Sequence, residues 1–88
     1  MPRYIIERNV GTITDAELEA SSRRSVEVLE EMEGIVWIRS YASHSEGKVY
    51  CEYEAPSIEA VREHARRAGL PADKISEIDL ELSPTMFV

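Results

Sequence analysis

The chain has a single cysteine, Cys51, among its 88 residues, so no internal disulfide is available. A reducing compartment is the expected setting. No apolar run approaches the roughly 20 residues of a membrane span, and Met1-Pro2-Arg3-Tyr4 does not read as a signal peptide. Basic residues are few: 10 Lys and Arg stand against 17 acids, for a formal charge of −7. That balance argues against general electrostatic binding to nucleic acid or an anionic membrane, because phosphate binding needs a basic face. Gly-rich phosphate loops, triad spacings and cofactor motifs are missing as well, which removes support for nucleotide and common hydrolase chemistry. With no His-x-x-x-His or Cys-x-x-Cys pair, a closed structural zinc site within one chain is not expected. The expectation is a cytoplasmic protein with neither a nucleic-acid nor a membrane partner.

What is present is globular. Apolar residues make up 43% and charged residues 31% of the chain. A domain of this size buries only about two-thirds of its unfolded surface, so dimerisation would be an ordinary remedy for a thin core. Arg3–Arg8 reads as a strand around Tyr4, Ile5 and Ile6. Thr14-Asp15-Ala16-Glu17 has the form of a capping box and opens a helix running to about Met32. Its apolar stripe is Leu18, Ser22, Ser25, Val26, Leu29 and Met32, and Gly34 is a natural stop.

Residues 35–42 and 48–54 alternate as two strands joined by a turn at His44-Ser45-Glu46-Gly47. Pairing Ser43 with Lys48 sets Ser40 opposite Cys51 and Ile38 opposite Tyr53. On the other face it sets Arg39 opposite Glu52 and Tyr41 opposite Tyr50. Ser57 caps a second helix with Ile58, Val61, Ala65 and Ala68 inward, ended by Gly69-Leu70-Pro71. A last strand is expected over residues 75–82.

The order β-α-β-β-α-β predicts a ferredoxin-like α+β sandwich: a four-stranded antiparallel sheet with two helices on one face. Residues 1–82 form the single domain, and 83–88 form a C-terminal tail. The second sheet face is left uncovered, with Trp37, Arg39, Tyr41, Tyr50, Glu52 and Glu54 expected on it. So much exposed aromatic area calls for a partner, most simply a second copy.

Several segments resemble a small bacterial family, a domain of unknown function described as nickel-binding and nickel-responsive. They are Tyr4-Ile5-Ile6-Glu7-Arg8, Trp37-Ile38-Arg39-Ser40-Tyr41, Cys51-Glu52-Tyr53-Glu54-Ala55-Pro56 and the run from Arg62 to Asp73. The resemblance covers nearly the whole chain in order. It implies a ferredoxin-like, dimeric protein and nickel as the bound ion.

Ni²⁺ accepts imidazole nitrogens, carboxylates and water. The histidines are His44, in the hairpin turn beside Glu46, and His64, next to the inner stripe of the second helix. His44, His64 and Glu46 are therefore the candidate ligands, each weighed against a plain reading. For His44 that is an exposed loop histidine, and for His64 a structural histidine making one hydrogen bond. The acids Glu27, Glu30, Glu31 and Glu33 read as a solvated face, and Cys51 as a small buried hydrophobe.

A second function class is a small cofactor-free enzyme or small-molecule binding module of the dimeric α+β barrel type. There Arg39 would hold an anionic group, Glu52 or Glu54 would act as base, and Tyr41 or Tyr50 as donor. A third is an interaction module whose sheet face is all interface.

Overall fold

The computed structural model describes all 88 residues. Strand β1 (Arg3–Asn9) is followed by helix α1 (Asp15–Glu31), the hairpin β2 (Val36–Ser43) and β3 (Lys48–Glu54), helix α2 (Ile58–Ala68) and strand β4 (Lys74–Ile78). A single 3₁₀ turn, Pro84–Phe87, closes the chain. The sheet order is β2-β3-β1-β4, antiparallel throughout. This is the expected ferredoxin-like α+β arrangement.

Local chemistry explains the elements. The Thr14 hydroxyl accepts the Glu17 amide, and the Glu17 carboxylate accepts the Thr14 amide, so the expected capping box forms. These bonds hold the Glu17 carboxyl below the usual range. Ser57 caps α2 through the Ala60 amide, and Gly69 ends it in the left-handed region at φ +67°.

The core lies between the helices and one sheet face. Tyr4 and Ile6 of β1, Val49, Cys51 and Tyr53 of β3, and Val61 of α2 form its centre. Full burial of side chains such as Ile6 and Val61 stabilises by about 1.5–3 kcal/mol each. The α1 contribution is thin. Ser25 is its one buried residue, while Leu18, Leu29 and Met32 pack at the edge and Val26 is exposed.

Two expectations are corrected. The hairpin register holds from Ser43↔Lys48 through Tyr41↔Tyr50, Ser40↔Cys51 and Arg39↔Glu52, but an irregularity between Trp37 and Arg39 breaks it. Trp37, not Ile38, then faces Tyr53, and Val36 faces Glu54. An extra residue in a strand reverses which face the following positions occupy. Trp37 is therefore on the helix side, packed against the core, and not on the open face, where Val36 stands 48% exposed.

The last strand also ends four residues early, at Ile78. That residue pairs with Arg3 at the start of β1. Beyond it the partner chain is Pro2, which has no N–H to donate to a ladder. Leu80 and Leu82 consequently point to solvent.

Candidate functional site

The three candidate ligands do not converge. His44 lies at the β2–β3 hairpin tip, and its Nε2 is 3.0 Å from Oδ1 of Asp15, the first residue of α1. The chain builds this meeting from backbone contacts. The Gly47 carbonyl accepts the amides of Val10 at 2.9 Å and Gly11 at 3.0 Å, which pins the hairpin against the β1–α1 loop. Gly47 has φ +64°, and a Cβ there would sit 3.0 Å from the Gly11 backbone. Only glycine allows both the turn and the close approach. The pair is accessible, with the His44 side chain 58% and that of Asp15 91% exposed. Glu46 is exposed on the same turn.

His64 is elsewhere and differently placed. It faces α1 from the middle of α2 and is 1% exposed. Its Nε2 lies 3.3 Å from the Ser25 carbonyl and 3.2 Å from the Ser25 hydroxyl. A carbonyl only accepts, so the proton sits on Nε2 and Nδ1 is the lone-pair nitrogen, which has no partner. The ring packs against Tyr53 at 5.4 Å between centroids. Burial pushes the imidazole below its usual range; the bond to Ser25 opposes this, and the charge of Arg8 adds to the lowering. A neutral, enclosed imidazole with no carboxylate beside it is a packing residue.

No group of three or more His, Cys, Asp or Glu side chains comes together closely enough to hold a metal ion. One chain thus offers nickel the right donor types at His44 and Asp15, one imidazole and one carboxylate, but only a partial set. Asp15 escaped the sequence reading as a ligand because its place in the capping motif accounts for it. The signal was topological: β1 and β2 run in parallel, so the loop after β1 and the hairpin after β2 share one end of the sheet.

The open sheet face carries Arg39, Tyr41, Tyr50, Glu52 and Glu54, as expected. Glu52 is engaged by the Arg3 guanidinium, and Arg39 Nε stands 3.8 Å from its other oxygen. Arg3 also reaches Glu81 at 3.2 Å, and these carboxylates raise its pKa further. With Glu52 already paired, it is poorly set up as a free base, and Arg39 poorly set up as a free anion clamp. None of the five residues lines a cavity. Tyr41 is 62% exposed, so this face is an open, flat, mixed aromatic and charged surface.

A half-open pocket lies on the opposite side of the sheet, under α1. It is lined by Arg8, Leu18, Ser25, Trp37, Cys51 and Tyr53, among others. Arg8 is 2% exposed. Sequence reasoning passed over it, although strand alternation places it inward with Tyr4 and Ile6.

No helix is long and apolar enough to cross a membrane. No curated protein matches the chain. The crystal structure of SCO4226 from Streptomyces coelicolor A3(2) is similar, with a TM-score of 0.81 and 30% identity, covering 91% of this chain and 99% of that one. Residues 4–78 match the family described as "Nickel responsive protein SCO4226-like". That span includes every strand core, both helices, His44 and His64, and the chain belongs to the SCO4226-like family of nickel-responsive proteins.

Proposed function

We propose that this protein is a cytoplasmic homodimer that binds a divalent metal ion, nickel in the first instance, at the hairpin end of the sheet. The observation that carries this reading is the His44–Asp15 pair, held 3.0 Å apart and open to solvent in a member of a nickel-responsive family. Imidazole and carboxylate are donors that Ni²⁺ accepts together with water. Glu46, exposed on the same turn, is a further candidate. The ion would replace the His44–Asp15 contact, and water or donors from a second subunit would complete its coordination.

The uncovered surfaces support the dimer. The open sheet face holds Val36, Tyr41 and Tyr50 around the Arg–Glu pairs. Beside it the chain after β4 exposes Leu80, Leu82, Met86 and Phe87. A second copy would cover this apolar area. The lone reduced cysteine supports the cytoplasmic setting.

The test is calorimetric titration of chelator-stripped protein with Ni²⁺, together with sedimentation with and without the metal. Binding in the wild type and at least tenfold weaker binding in Asp15→Asn support the reading. No heat in the wild type removes nickel from this protein's function, and a monomer under both conditions removes the homodimer.

A further inference from the structure

We propose that the cavity under α1 is a binding site for a small monocarboxylate, whose charged end sits on Arg8 and whose apolar end lies against Leu18 and Trp37.

Arg8 is buried, with only 2% of its surface exposed. A guanidinium carries five N–H donors and a permanent charge. In this chain its Nη1 donates to the Pro71 carbonyl at 2.7 Å and its Nε contacts the Cys51 sulfur at 3.4 Å. Nη2 is buried and has no partner at all. Both partners present are neutral groups, and no carboxylate of the chain reaches Arg8, although other arginines here find one readily. The other titratable groups facing this region do not compensate: Tyr53 is held neutral by burial, and His64 is a buried imidazole whose charged form is disfavoured. Buried charges are normally paired, because leaving one unpaired costs several kcal/mol. Arg8 also lines the cavity, and an anion bound there would supply the missing counter-charge.

The cavity's size and lining narrow the ligand class. Its volume is about 60 Å³, room for about four to six water-sized groups. Most of the lining is apolar, with Val10, Ile13, Leu18, Trp37 and Val49 prominent. Inorganic phosphate or sulfate would leave these walls poorly used. A carboxylate on a short hydrocarbon chain fits both the charge and the apolar room. The origin of the space is visible in the sequence. Ser21, Ser22 and Ser25 stand on the inner side of α1 where a packing helix would carry larger side chains.

The site includes its own reporter. Trp37 is the only tryptophan, and its indole N–H is fixed to the Ser40 hydroxyl at 2.8 Å. The experiment is a titration of the full-length, chelator-treated protein with butyrate, read by Trp37 fluorescence and by the melting temperature. Butyramide serves as the uncharged control. A failure of nickel binding leaves this result untouched, because the titration contains no free metal.

The expected result is saturable binding of butyrate with a rise in melting temperature, at least tenfold tighter than butyramide. Arg8→Met should abolish it while keeping the fold, since it removes an unpaired buried charge and conserves most of the volume. Ser22→Leu, which fills the cavity and leaves Arg8 in place, should also abolish it, and it decides the matter if Arg8→Met does not fold. The proposal is overturned by no saturation with any acid from acetate to hexanoate, by equal binding of butyramide, or by butyrate binding that survives either substitution in a folded protein.

Discussion

The two histidines occupy environments that differ in every respect that matters to a metal. His64 is enclosed between α2, α1 and the Tyr53 ring, donates to a backbone carbonyl and is held neutral by burial. His44 stands in solvent at a hairpin tip, beside a carboxylate brought there by a glycine-to-glycine backbone contact. Residue type is the same, and from the surroundings we propose opposite roles. One imidazole supports the packing of a thin domain, and the other is available for coordination. Substitution of either histidine should change one property, stability or metal affinity, and spare the other.

The largest effect is expected from His64→Ala. It opens a cavity and strands the Ser25 groups, so urea unfolding should show a loss of about 2–4 kcal/mol. Nickel affinity of the folded fraction should be unchanged. Gly47→Ala comes next. A side chain at φ +64°, with its Cβ 3.0 Å from the Gly11 backbone, costs about 1–2 kcal/mol or forces the hairpin away from the β1–α1 loop. Because that contact aligns His44 with Asp15, this substitution should lower stability and nickel affinity together. His44→Ala should weaken nickel binding at least tenfold, or ~1.4 kcal/mol. Its stability, measured without metal, should stay within about 0.5 kcal/mol of wild type, as for most exposed positions.

The smallest effect is a pH dependence. The folded His64 has a lowered pKa, so the unfolded chain takes up a proton first as the solution is acidified. Stability from this group is full above the ordinary imidazole value of about 6.5 and erodes as pH falls toward the lowered folded value. Denaturation midpoints should therefore drop more steeply below pH 6.5 in the wild type than in His64→Gln.

Much of the fold was legible because its signals are local. The capping box, the cap at Ser57 and the Gly69 stop are each read from a few residues, and all are present. Hairpin register was legible from Ser43 to Arg39 because one face had to be small and apolar. It failed at Trp37 because a bulge inserts a residue without a compositional mark, and tryptophan suits either face. The end of β4 was misread because strand length is set by the partner. Nothing in Ile78-Asp79-Leu80-Glu81-Leu82 shows that β1 has run out at Arg3. The candidate site was only half legible. His44 could be named from its turn, but Asp15 comes from 29 residues away, and the contact exists only once the two loops share one end of the sheet. Arg8 was hidden by its charge: alternation with Tyr4 and Ile6 points it inward, but an arginine with no acidic partner in view reads as exposed.

Nuclear magnetic resonance of the two imidazoles distinguishes metal binding at the exposed histidine from binding at the buried one. Ni²⁺ is paramagnetic, so a substoichiometric addition broadens the signals of nearby nuclei. The His44 ring resonances should broaden or vanish first, while those of His64 keep their width and position. Broadening of His64 with His44 unaffected, or no change at either ring as Ni²⁺ is raised to saturation, would contradict metal binding at His44.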